Sequence, residues 1–242
     1  MQRIASSAGA DYALADQERM TRAKNYLAWQ SRLILPELGQ RIIEVGCGMG
    51  NFTGQLLDRE AVAAFDIEPD CVERLKERYP QQSNVRSFVY DTSASALNEL
   101  ARFRADSCLF LNVLEHIQDD LEALRSMASV LEPGGIIVLF VPAFQSLYGP
   151  TDRNLGHFRR YRRGDILQLA NAAGLDLKKL HYVNMAGFFG WWLNARILRR
   201  EILTAGHIEV FDRCFAPWLS RLEAWVRPPF GLSLFAVLQK RA

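Results

Sequence analysis

Short apolar segments alternate with amphipathic segments from Arg41 onward, and this alternation restricts the fold more than any other feature of the sequence. Continuous apolar runs of this length are typical of strands buried on both faces of a parallel sheet. The amphipathic segments between them are then helices that cover the sheet. The sequence predicts five such strands, at Arg41–Val45, Val62–Asp66, Val85–Tyr90, Ser107–Leu111 and Ile136–Val141.

The rest of the chain is predicted to complete one large domain with an insertion. Two further strands are expected at Asp176–Val183 and Leu232–Gln239, the second as an antiparallel edge strand, and a helix capped by Asp165 precedes them. We divide the 242 residues into an N-terminal helical cover, a cofactor-binding core, a substrate-facing loop with a helical insertion, and a terminal strand. These segments are residues 1–40, 41–141, 142–229 and 230–242.

A glycine-rich segment, Glu44–Gly50, follows the first predicted strand. Its three glycines let the chain turn tightly and let a ligand touch the backbone. A helix is expected to begin near Phe52, and a strand, a glycine loop and a helix in this order are the context of a nucleotide-binding loop. Asn51 stands where a dinucleotide-binding fingerprint has its third glycine. A pyrophosphate is therefore not the expected ligand.

Gly46, Gly48 and Gly50, preceded by Glu44, resemble the first motif of the class I S-adenosylmethionine-dependent methyltransferases. Four later features match the same family in order and spacing, which makes the resemblance more specific than a lone glycine motif. They are Asp66 at the end of the second strand, Asp91 at the end of the third, the Leu-Glu-His segment within Asn112–Ile117, and Leu131–Gly135 before the fifth strand.

The resemblance implies a Rossmann-like α/β fold, with a seven-stranded sheet and helices on both faces, and S-adenosylmethionine as the cofactor. In this family the acidic residue after the second strand binds the ribose hydroxyls, and the acidic residue after the third often contacts the adenine. Glu44 is expected to steady the glycine loop or the amino group of the ligand. The implied cofactor-binding residues are Glu44, Gly46, Gly48, Gly50, Asp66, Ile67, Asp91 and Asn112.

The distribution of charge agrees with a cationic ligand for the first part of the chain. Residues 1–135 contain 14 Lys and Arg against 20 Asp and Glu, whereas residues 136–242 contain 15 against 7. S-adenosylmethionine has a positive sulfonium group, and a nicotinamide dinucleotide would bring two phosphates, so the acidic first part favours the former. The basic second part indicates an anionic acceptor, and general nucleic-acid binding is not predicted.

The segment Leu147–Arg163 leaves the carboxyl end of the fifth strand, the edge at which α/β folds bind ligands. Aromatic residues are interleaved with its five arginines, which favours a pocket wall over a solvated loop. Arginine suits phosphate or carboxylate groups. The Gly-His-x-Arg-Arg-Tyr pattern of this segment also resembles a subgroup of bacterial small-molecule methyltransferases. The predicted substrate-binding residues are Tyr148, Asp152, Arg159, Arg160 and Tyr161.

His116 and His157 are the predicted catalytic residues. A phenol, hydroxyl or amine acceptor must lose a proton when it is methylated, and a histidine near the methyl group can accept it. Local packing is an equally good explanation for His116, and a carbon or carboxylate acceptor would need neither histidine. Glu115 is expected to be structural, and no metal site is predicted.

The predicted insertion combines Met185–Leu193 with Trp218, Trp225 and several arginines. Ordinary packing or a homodimer interface explains these aromatics, and a surface helix at a lipid interface is the alternative. We therefore predict O-methylation of a small anionic or amphipathic acceptor. Two alternatives stay open: methylation of a lipid-linked saccharide or quinone precursor at the membrane surface, and a non-catalytic S-adenosylmethionine-binding module.

The expected location is the cytoplasm. Four cysteines without a Cys-x-x-Cys pair favour a reducing compartment. No window approaches the length of apolar sequence that spans a membrane, and no secretory signal is predicted. Peripheral contact with the inner face of the membrane is left open.

Overall fold

The computed structural model describes residues 14–15, 17–90, 94–193, 205–214 and 216–241. Within these ranges seven strands form one sheet in the order β3-β2-β1-β4-β5-β7-β6. The first five strands are parallel, and β7 is antiparallel to both of its neighbours. The predicted Rossmann-like sheet is therefore confirmed. The strands are β1 (Arg41–Val45), β2 (Ala61–Asp66), β3 (Val85–Val89), β4 (Ala105–Leu111), β5 (Leu131–Pro142), β6 (Leu175–Val183) and β7 (Ser233–Lys240).

Helices cover both faces of the sheet. Because side chains alternate along a strand, Ile42 and Ile43 of β1 belong to two different apolar clusters. Ile42 packs in the cluster that contains Trp29 of α1, and Ile43 packs in the cluster that contains Leu124 of α4. The helices are α1 (Lys24–Ile34), α2 (Pro69–Arg78), α3 (Ala94–Phe103), α4 (Asp120–Val130), α5 (Pro150–Asn154), α6 (Arg163–Ala172), α7 (Met185–Trp192), α8 (Ala205–Cys214) and α9 (Ala216–Trp225).

The predicted insertion is mostly helical where the structure describes it, and two carboxylates attach it to the rest of the protein. Asp212 of α8 accepts hydrogen bonds from the backbone N–H groups of Asn25 and Tyr26 at the start of α1. Glu223 of α9 accepts hydrogen bonds from the N–H groups of Asn184 and Met185, where α7 begins. Among the described helices, none has both the length and the apolar composition that a bilayer crossing requires.

Three local predictions are wrong. The last strand is antiparallel as expected, but it is not an edge strand, because β7 pairs with β5 on one side and with β6 on the other. The helix expected near Phe52 is only a 3-10 turn at Thr53–Gln55, because this turn contains Gly54, a poor helix former, and the Thr53 hydroxyl hydrogen-bonds to Glu44. Asp165 is not the cap of its helix, because α6 begins two residues earlier. The Asp165 carboxylate instead accepts a hydrogen bond from the N–H of Arg162, the residue before the helix, at 2.7 Å.

Candidate active site

The loop after β1 has a backbone conformation that glycine adopts at little cost. Gly46, Gly48 and Gly50 have φ angles of +64°, +53° and +76°. A β-carbon on Gly46 would lie 2.6 Å from Cγ2 of Val113, so a larger residue would separate this loop from the segment that follows β4. The glycine loop lies at the carboxyl edge of the sheet, the edge at which α/β folds bind ligands.

Asp66, at the end of β2, is joined to this loop. Its Oδ2 accepts a hydrogen bond from the N–H of Gly48 at 2.9 Å, and its Oδ1 accepts one from the N–H of Glu68 at 3.0 Å. Burial raises the pKa of Asp66, although both N–H groups act in the opposite direction. Each carboxylate oxygen has a second lone pair, so Asp66 can still accept hydrogen bonds from ligand hydroxyls.

Glu44 is buried and contacts the chain just beyond the loop. Its Oε2 accepts a hydrogen bond from the hydroxyl of Thr53 at 2.7 Å. Burial raises the pKa of Glu44 to about 7, and the hydrogen bond from Thr53 opposes this change. Of the two roles expected for Glu44, this contact favours the role of steadying the loop.

Gln17, which the sequence analysis did not identify, covers the glycine loop. Its Oε1 accepts a hydrogen bond from the N–H of Met49 at 2.9 Å, and its backbone carbonyl accepts one from Nδ2 of Asn51 at 3.0 Å. The contact with Met49 joins residues 32 positions apart, and no local sequence pattern marks such a pair. The predicted N-terminal cover therefore touches the loop directly.

Ile67 and Asn112 border the same edge of the sheet. Ile67 is 38% exposed despite its apolar side chain, and it follows Asp66 directly. Asn112 follows β4 with a φ angle of +53°, a left-handed conformation that asparagine tolerates better than most residues. Asp91, the remaining predicted cofactor residue, lies outside the described residues. The contacts of these residues with a cofactor stay predictions.

The residues at this edge fit S-adenosylmethionine. Glycine backbone can approach the ligand closely, the Asp66 carboxylate can accept hydrogen bonds from ribose hydroxyls, and the buried acids Glu44 and Asp66 suit a cation. A cavity of about 680 Å³ lies beside the strand ends that precede Gly46 and Asp66, a size typical of small-molecule sites. Its lining includes Val45, Phe65, Tyr90, Phe110 and Ile117.

The two predicted catalytic histidines meet at the carboxyl edge of β4. His116 lies just after β4, and His157 comes from the loop after α5; their ring centroids are 4.6 Å apart and the rings are nearly perpendicular. The N–H of Phe158 donates to the carbonyl of Glu115 at 2.8 Å, which fixes one loop against the other. Burial, and next the proximity of His157, lower the pKa of His116 to about 3. Its ring is therefore neutral at neutral pH.

Asp152 orients His157. Asp152 Oδ1 lies 2.8 Å from Nδ1 of His157 and accepts a hydrogen bond from Nε of Arg160 at 2.7 Å. Burial acts against ionisation, but the hydrogen bond from His157 and the charge of Arg160 outweigh it and lower the pKa of Asp152. Because the ionised carboxylate takes the hydrogen on Nδ1, Nε2 is the ring nitrogen of His157 that is available to a ligand.

Asp152 and Arg160 form a buried ion pair, whereas both were predicted to bind substrate. Asp152 is 0% exposed and Arg160 is 4% exposed. The Arg160 guanidinium lies 4.6 Å from the ring centroid of Trp191, which covers it. In this arrangement both residues position His157, and direct contact with an acceptor would require them to be uncovered.

The other three predicted substrate residues hold the same loop. The Tyr148 hydroxyl donates to the carbonyl of His157 at 2.7 Å. Asp120 Oδ2 accepts a hydrogen bond from the Tyr161 hydroxyl at 2.9 Å and pairs with Nη1 of Arg159 at 2.6 Å. Tyr161 is fully buried, whereas Tyr148 and Arg159 are only partly buried. Of the five residues, these two are therefore the most accessible to a ligand.

Glu115 has surroundings that the sequence analysis did not anticipate. It is 1% exposed, and neither carboxylate oxygen has a hydrogen-bond partner among the described residues. Burial raises the pKa of Glu115 to about 7, although the charges of His157 and Arg160 act in the opposite direction. In the sequence, its position next to His116 in the Leu-Glu-His segment could have indicated that Glu115 lies at the site.

Residues 12–180 match the family described as a methyltransferase domain. The chain belongs to this family. The methyltransferase is 26% identical over 206 residues to an uncharacterised methyltransferase of Mycobacterium leprae (strain TN), and the match covers 75% of this chain and 76% of the relative. It is 32% identical over 115 residues to a ubiquinone biosynthesis O-methyltransferase of Xanthomonas campestris pv. campestris (strain B100), with 45% of each chain covered.

A solved structure has the same fold. The S-adenosylmethionine-dependent methyltransferase of Mesorhizobium loti matches with a TM-score of 0.54 and 16% identity over 87% of this chain and 95% of that one. The family match confirms the predicted enzyme class. The protein is an S-adenosylmethionine-dependent methyltransferase, with S-adenosylmethionine as the methyl donor.

Proposed function

We propose that this methyltransferase methylates an oxygen atom of a small anionic or amphipathic acceptor that binds beside His116 and His157. One observation carries the proposal: the loop after β5 folds back onto the segment after β4 and brings the two histidine rings to a centroid distance of 4.6 Å. Both segments leave the carboxyl edge of the sheet, as the glycine loop does. A histidine at this edge can promote loss of the proton from an acceptor oxygen.

S-adenosylmethionine supplies an electrophilic methyl group on a positively charged sulfur. The protein has to hold the acceptor oxygen behind this methyl group, exclude water and assist loss of the acceptor proton. His157 is the better placed base, because the hydrogen bond from Nδ1 to Asp152 orients its ring and stabilises the charge that proton uptake creates. His116 is neutral and hydrogen-bonds to the carbonyl of Leu155, so its part is to shape the acceptor side.

The relatives support oxygen as the methylated atom and a small molecule as the acceptor. The Xanthomonas relative is an O-methyltransferase of ubiquinone biosynthesis by name. The Leu-Glu-His segment at residues 114–116 and the Gly-His-x-Arg-Arg-Tyr segment at residues 156–161 favour the same subgroup of bacterial small-molecule enzymes. We therefore assign residues 142–229 to acceptor binding, and no nucleic acid is expected as a substrate.

His157→Ala is expected to lower methyl transfer at least about 100-fold, because it removes the proposed base. The affinity for S-adenosylhomocysteine should change less than about twofold, because Asp66 and the glycine loop are untouched. Transfer of a labelled methyl group from S-adenosylmethionine to an extract of small hydroxylated metabolites measures the first effect. Calorimetric titration with S-adenosylhomocysteine measures the second.

His181→Ala is the matched control for this variant. His181 lies on β6, and its ring contacts Phe235, outside the loop that carries His157. This control should keep its methyl transfer. Wild-type turnover in His157→Ala would contradict a role for the histidine pair in proton loss.

An acceptor held at a membrane surface is a second candidate, and the exposed face of α9 favours it. Trp218, Leu222 and Trp225 lie at helical spacing on one face and are 73%, 53% and 90% exposed. Arg221 and Arg227 are exposed in the same segment. An apolar stripe flanked by cations is typical of a helix that lies in an anionic lipid interface. A lipid-linked saccharide or a quinone precursor would be reached from such a position.

The double variant Trp218→Ser/Trp225→Ser is expected to bind phosphatidylglycerol vesicles at least about tenfold more weakly than the wild type, because two indole rings no longer enter the interface. Sedimentation with the vesicles measures this binding. Leu167→Ser changes an exposed apolar residue of α6. It is the control and should bind as the wild type does. Equal binding of all three proteins would contradict the membrane candidate. A wild-type dimer that the double variant dissociates would instead assign the stripe to self-association.

A further inference from the structure

Glu115, His116 and His157 form a cluster of side chains that can bind metal ions. One ligand atom from each residue lies within 4.8 Å of the other two. Two imidazoles and one carboxylate are a common ligand set for Zn²⁺ and for other divalent first-row transition ions. Three protein ligands leave at least one coordination position open for a substrate.

The Glu115 carboxylate lacks the partner that a buried acid requires. Both oxygens are buried and have no hydrogen-bond partner among the described residues. The charge of Arg160 acts on Glu115, but Nε of Arg160 donates to Asp152 and its Nη1 donates to the carbonyl of Ala143. Because an unpartnered buried carboxylate is costly, a cation beside Glu115 would stabilise the site.

Both histidines have the outer hydrogen bonds that fix a metal-binding imidazole. Asp152 accepts the hydrogen of His157 Nδ1 at 2.8 Å, which leaves Nε2 free to bind an ion. The carbonyl of Leu155 hydrogen-bonds to the ring of His116. Carboxylates and backbone carbonyls are the usual partners of metal-bound histidines, because they set the tautomer and orient the ring. Asp152 is itself held by Arg160 and by the N–H of Gly149.

The separation of the three groups suits an ion after a small adjustment. Metal–ligand distances of about 2.0–2.2 Å place the ligand atoms of a tetrahedral site about 3.3–3.6 Å apart. The observed limit of 4.8 Å is therefore closed by movements of about 1 Å, a size that side-chain rotations can supply.

We propose that Glu115, His116 and His157 bind a divalent transition-metal ion and that this ion holds the acceptor. The inference rests on the proposed O-methylation and names its acceptor class: a hydroxyl next to a second oxygen, as in a catechol or a 2-hydroxy acid, because two neighbouring oxygens can bind one ion together. With the ion bound, Nε2 of His157 is a ligand instead of a base, and the charge of the ion favours loss of the hydroxyl proton to solvent. The O–C bond then forms as the C–S bond of the donor breaks, and the electron pair of that bond stays on sulfur.

Titration of protein without an affinity tag tests the site, with Co²⁺ followed by visible absorption and Zn²⁺ followed by calorimetry. The wild type is expected to bind about one ion per chain. Glu115→Gln and His116→Ala are each expected to bind at least about tenfold more weakly, because each removes a ligand. His181→Ala and Glu122→Gln, which change a histidine and a carboxylate outside the cluster, should bind as the wild type does.

Removal of metal by a chelator separates this proposal from the proposed function. Chelator-treated enzyme should keep its affinity for S-adenosylhomocysteine, lose methyl transfer to catechols or hydroxy acids, and regain it when Zn²⁺ or Co²⁺ is added. A wild type that binds neither ion, or that transfers methyl equally well after chelation, would overturn the metal site and leave O-methylation intact. Ion binding that depends on Glu115 and His116, without transfer to any hydroxyl acceptor, would support the metal site and contradict O-methylation.

Discussion

Asp66→Ala is expected to raise the dissociation constant for S-adenosylhomocysteine at least about 100-fold. The carboxylate is proposed to accept hydrogen bonds from the ribose, and each charge-assisted bond contributes about 1.5–3 kcal/mol. The same change removes the acceptor for the N–H of Gly48 and so loosens the glycine loop. Calorimetric titration of the purified variant measures the change in affinity.

Asp70→Ala and Asp66→Asn are the comparisons for this variant. Asp70 lies on α2 and is exposed, so its loss should leave the affinity unchanged. Asparagine at position 66 keeps an oxygen for Gly48 but lacks the negative charge, so its affinity should fall between those of the wild type and the alanine variant. A wild-type affinity in Asp66→Ala would remove Asp66 from the cofactor site.

Arg160→Ala is expected to lower the free energy of unfolding by about 3–5 kcal/mol, because Asp152 would be left as an uncompensated buried charge. Asp152 has no exposed surface, and Arg160 also packs on Trp191. Urea denaturation at neutral pH measures this loss. If the alanine variant does not fold, Arg160→Lys keeps the charge but not the same geometry, and it should show a smaller loss.

Arg104→Ala provides the contrast, because it breaks an exposed ion pair with Glu132. That pair should contribute little to stability, because water screens the attraction between exposed charges. If Arg160→Ala lowers the free energy of unfolding as little as Arg104→Ala does, the Asp152–Arg160 pair does not hold the loop that carries His157.

The strands of the sheet could be predicted because each one depends on the residues of its own segment. A strand that is buried on both faces is rich in apolar residues, as in Arg41–Val45, where three of the five residues are apolar and the structure has the predicted bounds. The positive φ angles of Gly46, Gly48 and Gly50 likewise follow from the need for a tight turn after β1. Such features depend on neighbouring residues alone.

Contacts between distant segments were predictable only in part. The sequence named His116 and His157 but contained nothing that required their rings to meet, because the contact depends on how the loop after β5 folds back. Gln17 was missed for the same reason. Asp152 and Arg160 were predicted to bind substrate, and the sequence did not indicate that they form a buried ion pair beside Trp191.

β7 lies between β5 and β6 in the sheet, so the half of the sheet that contains β5–β7 can assemble only after β7 has been synthesised. β7 is synthesised after the other six strands of the sheet, and until then β5 has one edge unpaired. The half of the sheet that contains β1–β4 can form earlier in synthesis. The loop that carries His157 is fixed later, because it begins at Ala143, whose N–H donates to the carbonyl of Leu232. An exposed strand edge in a nascent chain promotes aggregation. Slow translation of β7 would therefore expose the half that carries His157 to aggregation more than the half that carries the glycine loop.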